Sequence, residues 1–181
     1  VIKNTKGWIT VIMSLFLLCG CGAYYFPHIY DGPSKSIYAP SWKNRTNKLG
    51  LDSDIYQTLS RWFQKSDAIT LTKDRDKADM ILAGEITSIS LPSISWDGES
   101  DATDIKVRIT VRYVLKDLKS GEILWEVPNQ IWTEDYDAET VNATIEDEAV
   151  DEIVDDLAET IYLGTLKQIR KQNQEAANSD N

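Results

Sequence analysis

The chain has 181 residues and a net charge of −10, from 19 Lys plus Arg against 29 Asp plus Glu, with 9% aromatic residues including six Trp. So acidic a surface repels nucleic-acid phosphates, and so many aromatics argue against disorder. Two Cys and one His are too few for a zinc site or a disulfide framework, and no cofactor is implied.

The opening stretch VIKNTKGWITVIMSLFLLCGCGAYYF has the parts of an export signal: Lys3 and Lys6 as a basic start, then an apolar run from Gly7 to Leu18, then small residues. A spanning helix needs roughly 20 apolar residues, so this run is short for a membrane anchor. Leu18-Cys19-Gly20-Cys21 resembles the lipobox of bacterial lipoproteins, with Cys21 where diacylglycerol and then palmitate are attached and Cys19 as one of the residues before it. A redox pair would be spaced C-x-x-C beside a βαβ unit, and this C-x-C closes an apolar run instead. An uncleaved signal anchor is the alternative. The expectation is a cleaved signal over 1–20, a mature chain beginning at Cys21, and a lipid-anchored arm over 21–35 punctuated by Pro27, Gly32 and Pro33. Cleavage leaves 17 Lys plus Arg against 29 Asp plus Glu, a net of −12.

The rest of the chain suits one domain over 36–171, because a chain of roughly 150 residues buries about 68–70% of its unfolded surface without disulfides or metal. Ser36 to Trp42 reads as a first strand. Asn44 to Asp54 reads as a turn ending in helix caps, after which Ile55, Leu59, Trp62 and Phe63 recur at helical spacing. Ala68 to Thr72 and Met80 to Ser90 read as strands on either side of the polar turn DRDKAD. From Ile105 the alternation is strict: Ile105, Val107, Ile109, Val111, Tyr113 and Leu115 point one way, and Lys106, Arg108, Thr110, Arg112 and Lys116 the other. DLKSG turns the chain into a return strand with Ile123, Trp125 and Val127 on one face, which Pro128 interrupts or ends.

The last element is a helix, with Ile145, Ala149, Ile153, Leu157 and Ile161 repeating every four residues. Acids such as Glu146, Asp151 and Asp155 fill its other face, and Lys167, Arg170 and Lys171 near its end suit the helix dipole. The tail over 172–181 has nothing to bury and is expected to be disordered. Strand, helix, several antiparallel strands and helix define an α+β domain: two helices on one face of a mostly antiparallel or mixed sheet of about four strands.

Catalysis finds little support. His28 lies in the irregular arm beside Pro27, where it suits a surface residue better than a nucleophile's partner, and the clustered carboxylates lie on a solvated helix face. Neither phosphate-cradling glycine motif occurs. Asn44-Arg45-Thr46 and Asn142-Ala143-Thr144 match the glycosylation pattern but suit turn and helix-start chemistry.

Taken in order, CGAYYF, IYAPSWKNRTNKLGLDSDIYQTL, ADMILAGEITSISLPSISWD, VRYVLKDLKSGEILWE and DEAVDEIVDDLAETI resemble the lipopolysaccharide-assembly lipoproteins of the LptE family, over Cys21 to Leu166. One departure is Ala23, where the family more often has an aromatic directly after Cys-Gly. The resemblance implies a non-enzymatic lipoprotein on the periplasmic side of the outer membrane. Its partners would be the LptD β-barrel, which it plugs and helps to assemble, and lipopolysaccharide in transit to the surface. Another periplasmic adaptor, a cell-wall synthase activator or a secretion-pore component, is the alternative. Lys106, Arg108, Arg112 and Lys116 on one strand face, with Lys119 in the turn, are candidates for lipopolysaccharide phosphates. The ordinary reading is that they pair across the sheet with acids such as Glu85, Glu122 or Glu126.

Overall fold

A computed structural model describes residues 32–91, 105–136 and 143–179. The segment read as an export signal, Cys19, Cys21, His28 and nearly all of the expected arm lie outside those residues. The described elements are β1 (Lys35–Tyr38), β2 (Lys43–Asn44), α1 (Leu51–Phe63), β3 (Ile69–Thr72), β4 (Met80–Ser90), β5 (Ile105–Asp117), β6 (Ile123–Tyr136) and α2 (Ala143–Ser179), with one 3-10 turn at Arg75–Lys77.

The strands form one six-stranded mixed sheet in the order β3-β1-β4-β5-β6, with β2 also paired to β4. β1 runs parallel to β3 and β4, and β2 parallel to β4, whereas β4–β5 and β5–β6 are antiparallel. The fold is α+β as the sequence implies, with more strands than about four. The stretch read as a first strand, Ser36 to Trp42, is strand only as far as Tyr38, before Pro40; β2 follows at Lys43–Asn44, reaching into the stretch read as a turn, and is too short to show a period.

Alternation decides which side of the sheet is dry. Val107, Ile109, Val111, Tyr113 and Leu115 of β5 are buried, as are Met80, Leu82 and Ile86 of β4. Both helices cover that face. Leu51, Ile55, Leu59 and Phe63 of α1 share one core cluster with Val150, Ile153, Val154, Leu157, Ile161 and Ile169 of α2. Fully burying each such side chain contributes about 1.5–3 kcal/mol. Aromatic rings knit the layers: Trp42 stacks on Tyr113 at 5.9 Å between centroids, and Tyr113 meets the edge of Trp125 at 5.0 Å.

Local details correct or sharpen the sequence reading in four places. The helix α1 starts on Gly50 in the left-handed region, φ 87°, with no side-chain cap; Asp52 and Asp54 instead sit in its first turn, where the dipole favours acid. A bulge opposite Leu115 and Lys116 shifts the register so that Leu115 faces Trp125 but Lys116 faces Ile123, turning Ile123 out to 53% exposure. Pro128 does not end β6. The register steps from Val111–Gln130 to Tyr113–Val127, so Pro128 sits in a bulge on an edge strand, where its missing N–H costs no ladder bond. Finally, the segment expected to be disordered is helical as far as Ser179. Its Gln, Glu and Ala are strong helix formers that propagate an existing helix, and Gln172 donates to Asp117 at 3.2 Å.

Candidate interaction surface

The pleat that buries Leu82 and Ile86 sends Ile81, Ala83 and Glu85 to the other side of the sheet, where no described helix packs. At its centre Glu85 is only 10% exposed along its side chain, because two guanidiniums close over it. Arg112 Nε donates to Oε2 at 2.8 Å and a second Arg112 nitrogen donates to the same oxygen, while Arg45 Nε donates to Oε1. Register explains the meeting: Glu85 faces Arg112 across the antiparallel pair and Lys43 across the parallel one, with Arg45 two residues on. Charge-assisted bonds to both oxygens fix this carboxylate more firmly than neutral ones would. A depression of about 330 Å³ beside the triad is lined by Ala83, Val114, Glu126 and Pro128 among others.

The five basic residues singled out in the sequence divide unequally. Lys106 pairs with Asp135 on β6 at 2.8 Å, Arg112 is committed to Glu85, and Lys119 pairs with Asp79 at 2.7 Å. Arg108 faces Ser90 and Thr133, Lys116 faces Ile81 and Ile123, and neither makes an ion pair among the described residues. The geometry therefore groups Lys106, Arg108, Arg112 and Lys116 on one sheet face, with three of the five charges compensated locally. Glu85 was recognisable as a partner from the sequence. Arg45 was missed, since nothing in a lone polar turn announces a parallel pairing with β4.

At the end of the sheet where β1 begins, Asp79 acts as a staple. It accepts from Ser36 N at 2.9 Å, Ser36 Oγ at 2.7 Å and Lys119 Nζ at 2.7 Å, tying β1 and the β5–β6 turn to β4. The Lys119 bond, aided by those from Ser36 and opposed by burial, holds the Asp79 carboxyl well below the usual carboxylate range. The opposite sign occurs where acids crowd. Burial, then the nearby charges of Asp151 and Asp52, push Asp54 up, and burial with Glu152, Asp135 and Asp156 nearby pushes Glu134 up. Lys48 bridges part of this field, donating to Asp147 at 2.5 Å with Glu146 at 3.5 Å.

No described residue is Cys or His, and no group of three metal-ligating side chains occurs among the described residues. What the surface provides is an ordered, charged sheet face rather than a reactive constellation.

Comparisons with known proteins match this architecture. The family model LptE, Lipopolysaccharide-assembly, matches residues 34–163, which span the whole sheet and α1 and reach well into α2. No curated protein matches the chain in sequence. Among solved structures, protein XCC0632 from Xanthomonas campestris superposes with a TM-score of 0.58 at 11% identity, covering 84% of this chain and 93% of its own, which shows a shared fold. A minor lipoprotein from Acinetobacter baumannii gives a TM-score of 0.48 at 16% identity, covering 74% of this chain and 93% of its own.

Proposed function

Because the chain belongs to the LptE family of lipopolysaccharide-assembly proteins, we propose that it is an outer-membrane lipoprotein that plugs an LptD-type β-barrel, assists its assembly and contacts lipopolysaccharide in transit. The observation that carries this reading is the family match over residues 34–163. The open sheet face supports it. A plug must fill a polar lumen without leaving buried charges unpaired, and on this face Glu85 is neutralised by Arg45 and Arg112 while Lys106 is matched by Asp135. Exposed Ile131, 55% accessible, and Ile123 add apolar contacts among these charges.

In this reading acylated Cys21 holds the domain at the outer membrane from the periplasmic side. Arg108 and Lys116, whose charges are not compensated among the described residues, are the basic groups best placed for lipopolysaccharide phosphates.

The test is depletion and co-isolation. Mild detergent extraction is expected to bring down a β-barrel partner, and depletion to leave that barrel misassembled and the outer membrane permeable to bulky antibiotics. Normal barrel levels and normal permeability after depletion would overturn the proposal, and co-isolation of a cell-wall synthase or secretion pore would replace it.

A further inference from the structure

Beyond Leu163, where the family match ends, α2 continues to Ser179 and its charge changes sign. Leu163, Lys167, Arg170, Lys171 and Gln174 fall on one helical face. That face and Leu124, near the start of β6, line a groove of about 770 Å³. Leu124 and Leu163 are partly buried against the core, so the groove has an apolar lining, and three cations but no carboxylate border it. In a chain with a net charge of −10 this is a local excess of positive charge.

An adjoining depression of about 400 Å³ shares Leu124, Gln168 and Lys171 and adds Lys35 and Lys119, with Asp117, Glu122 and Glu175 as its acids. Its three cations and three acids balance formally, so the positive excess belongs to the first groove. Asp117 is occupied by the backbone N–H groups of Lys119 and Ser120, both at 2.8 Å, and by Gln172. Glu175 approaches Lys171 only at 3.8 Å, with both side chains more than 60% exposed, a pair worth little.

Position says what such a groove would meet. Lys35 begins β1, so the arm carrying Cys21 joins the domain at this end. The 14 residue-to-residue steps from Cys21 to Lys35 reach at most about 46–50 Å when extended, at roughly 3.3–3.6 Å per residue. An anchor at Cys21 therefore holds this end of the domain, where the arm joins it, within that distance of the bilayer. A membrane surface offers phosphates above an apolar layer, which matches basic groups beside leucines; a free phosphate would make no use of the leucines.

We infer that the groove between the end of α2 and the start of β6 docks on anionic phospholipid headgroups, orienting the domain above the membrane that holds its arm. The inference rests on the reading of Cys21 as the lipid anchor, and its test does not.

Purified unacylated full-length chain is floated with phosphatidylcholine vesicles, with and without phosphatidylglycerol, and the preference for the anionic vesicles is measured. One basic residue near an anionic surface is worth about fivefold, so Lys167→Gln/Arg170→Gln/Lys171→Gln should lower that preference by at least about tenfold. A control of equal charge at exposed residues outside both depressions, Lys43→Gln/Lys73→Gln/Arg75→Gln, should preserve it. The apolar opening run is common to all three proteins and drops out of the comparison.

Equal loss in both variants would mean that only net charge matters, and retention in the first would mean that the groove is not the site; either overturns the inference. So does a variant of the groove that loses binding to lipopolysaccharide micelles while keeping its phosphatidylglycerol preference. Should the groove variant fail to fold, the unmodified chain still decides, because a preference indifferent to added salt is not phosphate docking. Intact mass of protein from cells tests acylation of Cys21 separately.

Discussion

The indole of Trp42 lies so close over Gly84 that a Cβ at position 84 would stand within the ring. The same arrangement recurs at the other end of an aromatic row, where Trp125 covers Gly164 of α2. Trp42, Tyr113 and Trp125 thus form one row from Gly84 of β4 to Gly164 of α2, stacked at the first contact and edge-on at the second, and each terminal glycine serves as the flat seat of a ring. Burial beneath this row pushes the Tyr113 hydroxyl up to about 12, and it donates to Gln130 at 2.9 Å.

Gly84→Ala and Gly164→Ala should therefore each destabilise the fold by about 1–3 kcal/mol through overpacking, since neither backbone requires a positive φ. Thermal unfolding followed by Trp fluorescence would measure it. An unchanged midpoint would mean that the rings move aside freely.

Glu85 should prove sensitive to the loss of its partners. Arg112→Ala leaves Arg45 in place and is expected to cost about 1–3 kcal/mol. Arg45→Ala/Arg112→Ala strands a carboxylate that is 10% exposed and should approach about 3–5 kcal/mol. Glu85→Ala should cost less than the double change, because both guanidiniums are half-exposed and regain water. Urea unfolding of the three variants would order them.

Arg108→Glu should fold like the parent, as its side chain makes no ion pair among the described residues, and should weaken lipopolysaccharide binding in a salt-sensitive way. Reversing Arg112 as well would confuse the result, because a second carboxylate would then face Glu85. Binding to purified lipopolysaccharide at two salt concentrations checks this; equal binding removes Arg108 from the contact surface.

The Asp79 staple sets an acid limit on stability. Its carboxyl is held below the ordinary value of 3.8, so its contribution is present above that pH and is lost as pH falls toward the folded value. Asp54 and Glu134 are shifted upward and act with opposite sign, their protonation relieving strain as pH falls through the ordinary carboxylate range. Asp79→Asn should thus lower the melting temperature at pH 7 and lose its effect as pH drops well below about 3.8. A gap that persists at the lowest pH would assign the loss to packing.

The two helices give unequal core tests. Ile153 is 2% exposed, and Ile153→Ala should cost about 2–5 kcal/mol. Trp62, placed on the apolar stripe by its spacing, is only partly buried; its Nε1 donates to Asp155 at 3.2 Å and Lys65 lies over its ring at 3.4 Å. Trp62→Ala should cost less than Ile153→Ala in the same denaturation series.

Much of this was legible because β5 and α2 carry their period in apolar residues, and each buried residue predicted on β5 from Val107 to Leu115 is buried. Bounds were legible where apolar character changes sharply, as at Met80 and Ser90. What escaped reading depends on register. The bulges that turn Ile123 outward and accommodate Pro128, and the parallel pairing that brings Arg45 to Glu85, are settled between strands, and no single strand encodes them. The basic stripe was readable as a stripe, but the pairing of Lys106 with Asp135 and of Lys119 in the turn with Asp79 was not, because the register of β6 and the approach of the β5–β6 turn to the start of β4 are set between strands.

Pro128 also bears on how copies of the chain meet one another. An edge strand of 14 residues is a ready template for another strand, offering its outward N–H and C=O groups in sequence. The proline removes a donor and its bulge breaks the spacing midway, so β6 offers two short, misaligned runs instead of one. A second copy laid edge to edge could zip along one run only and would lose its phase at the other. Among the described strands, the hairpin can thus be long while presenting a second copy with no continuous edge to pair along.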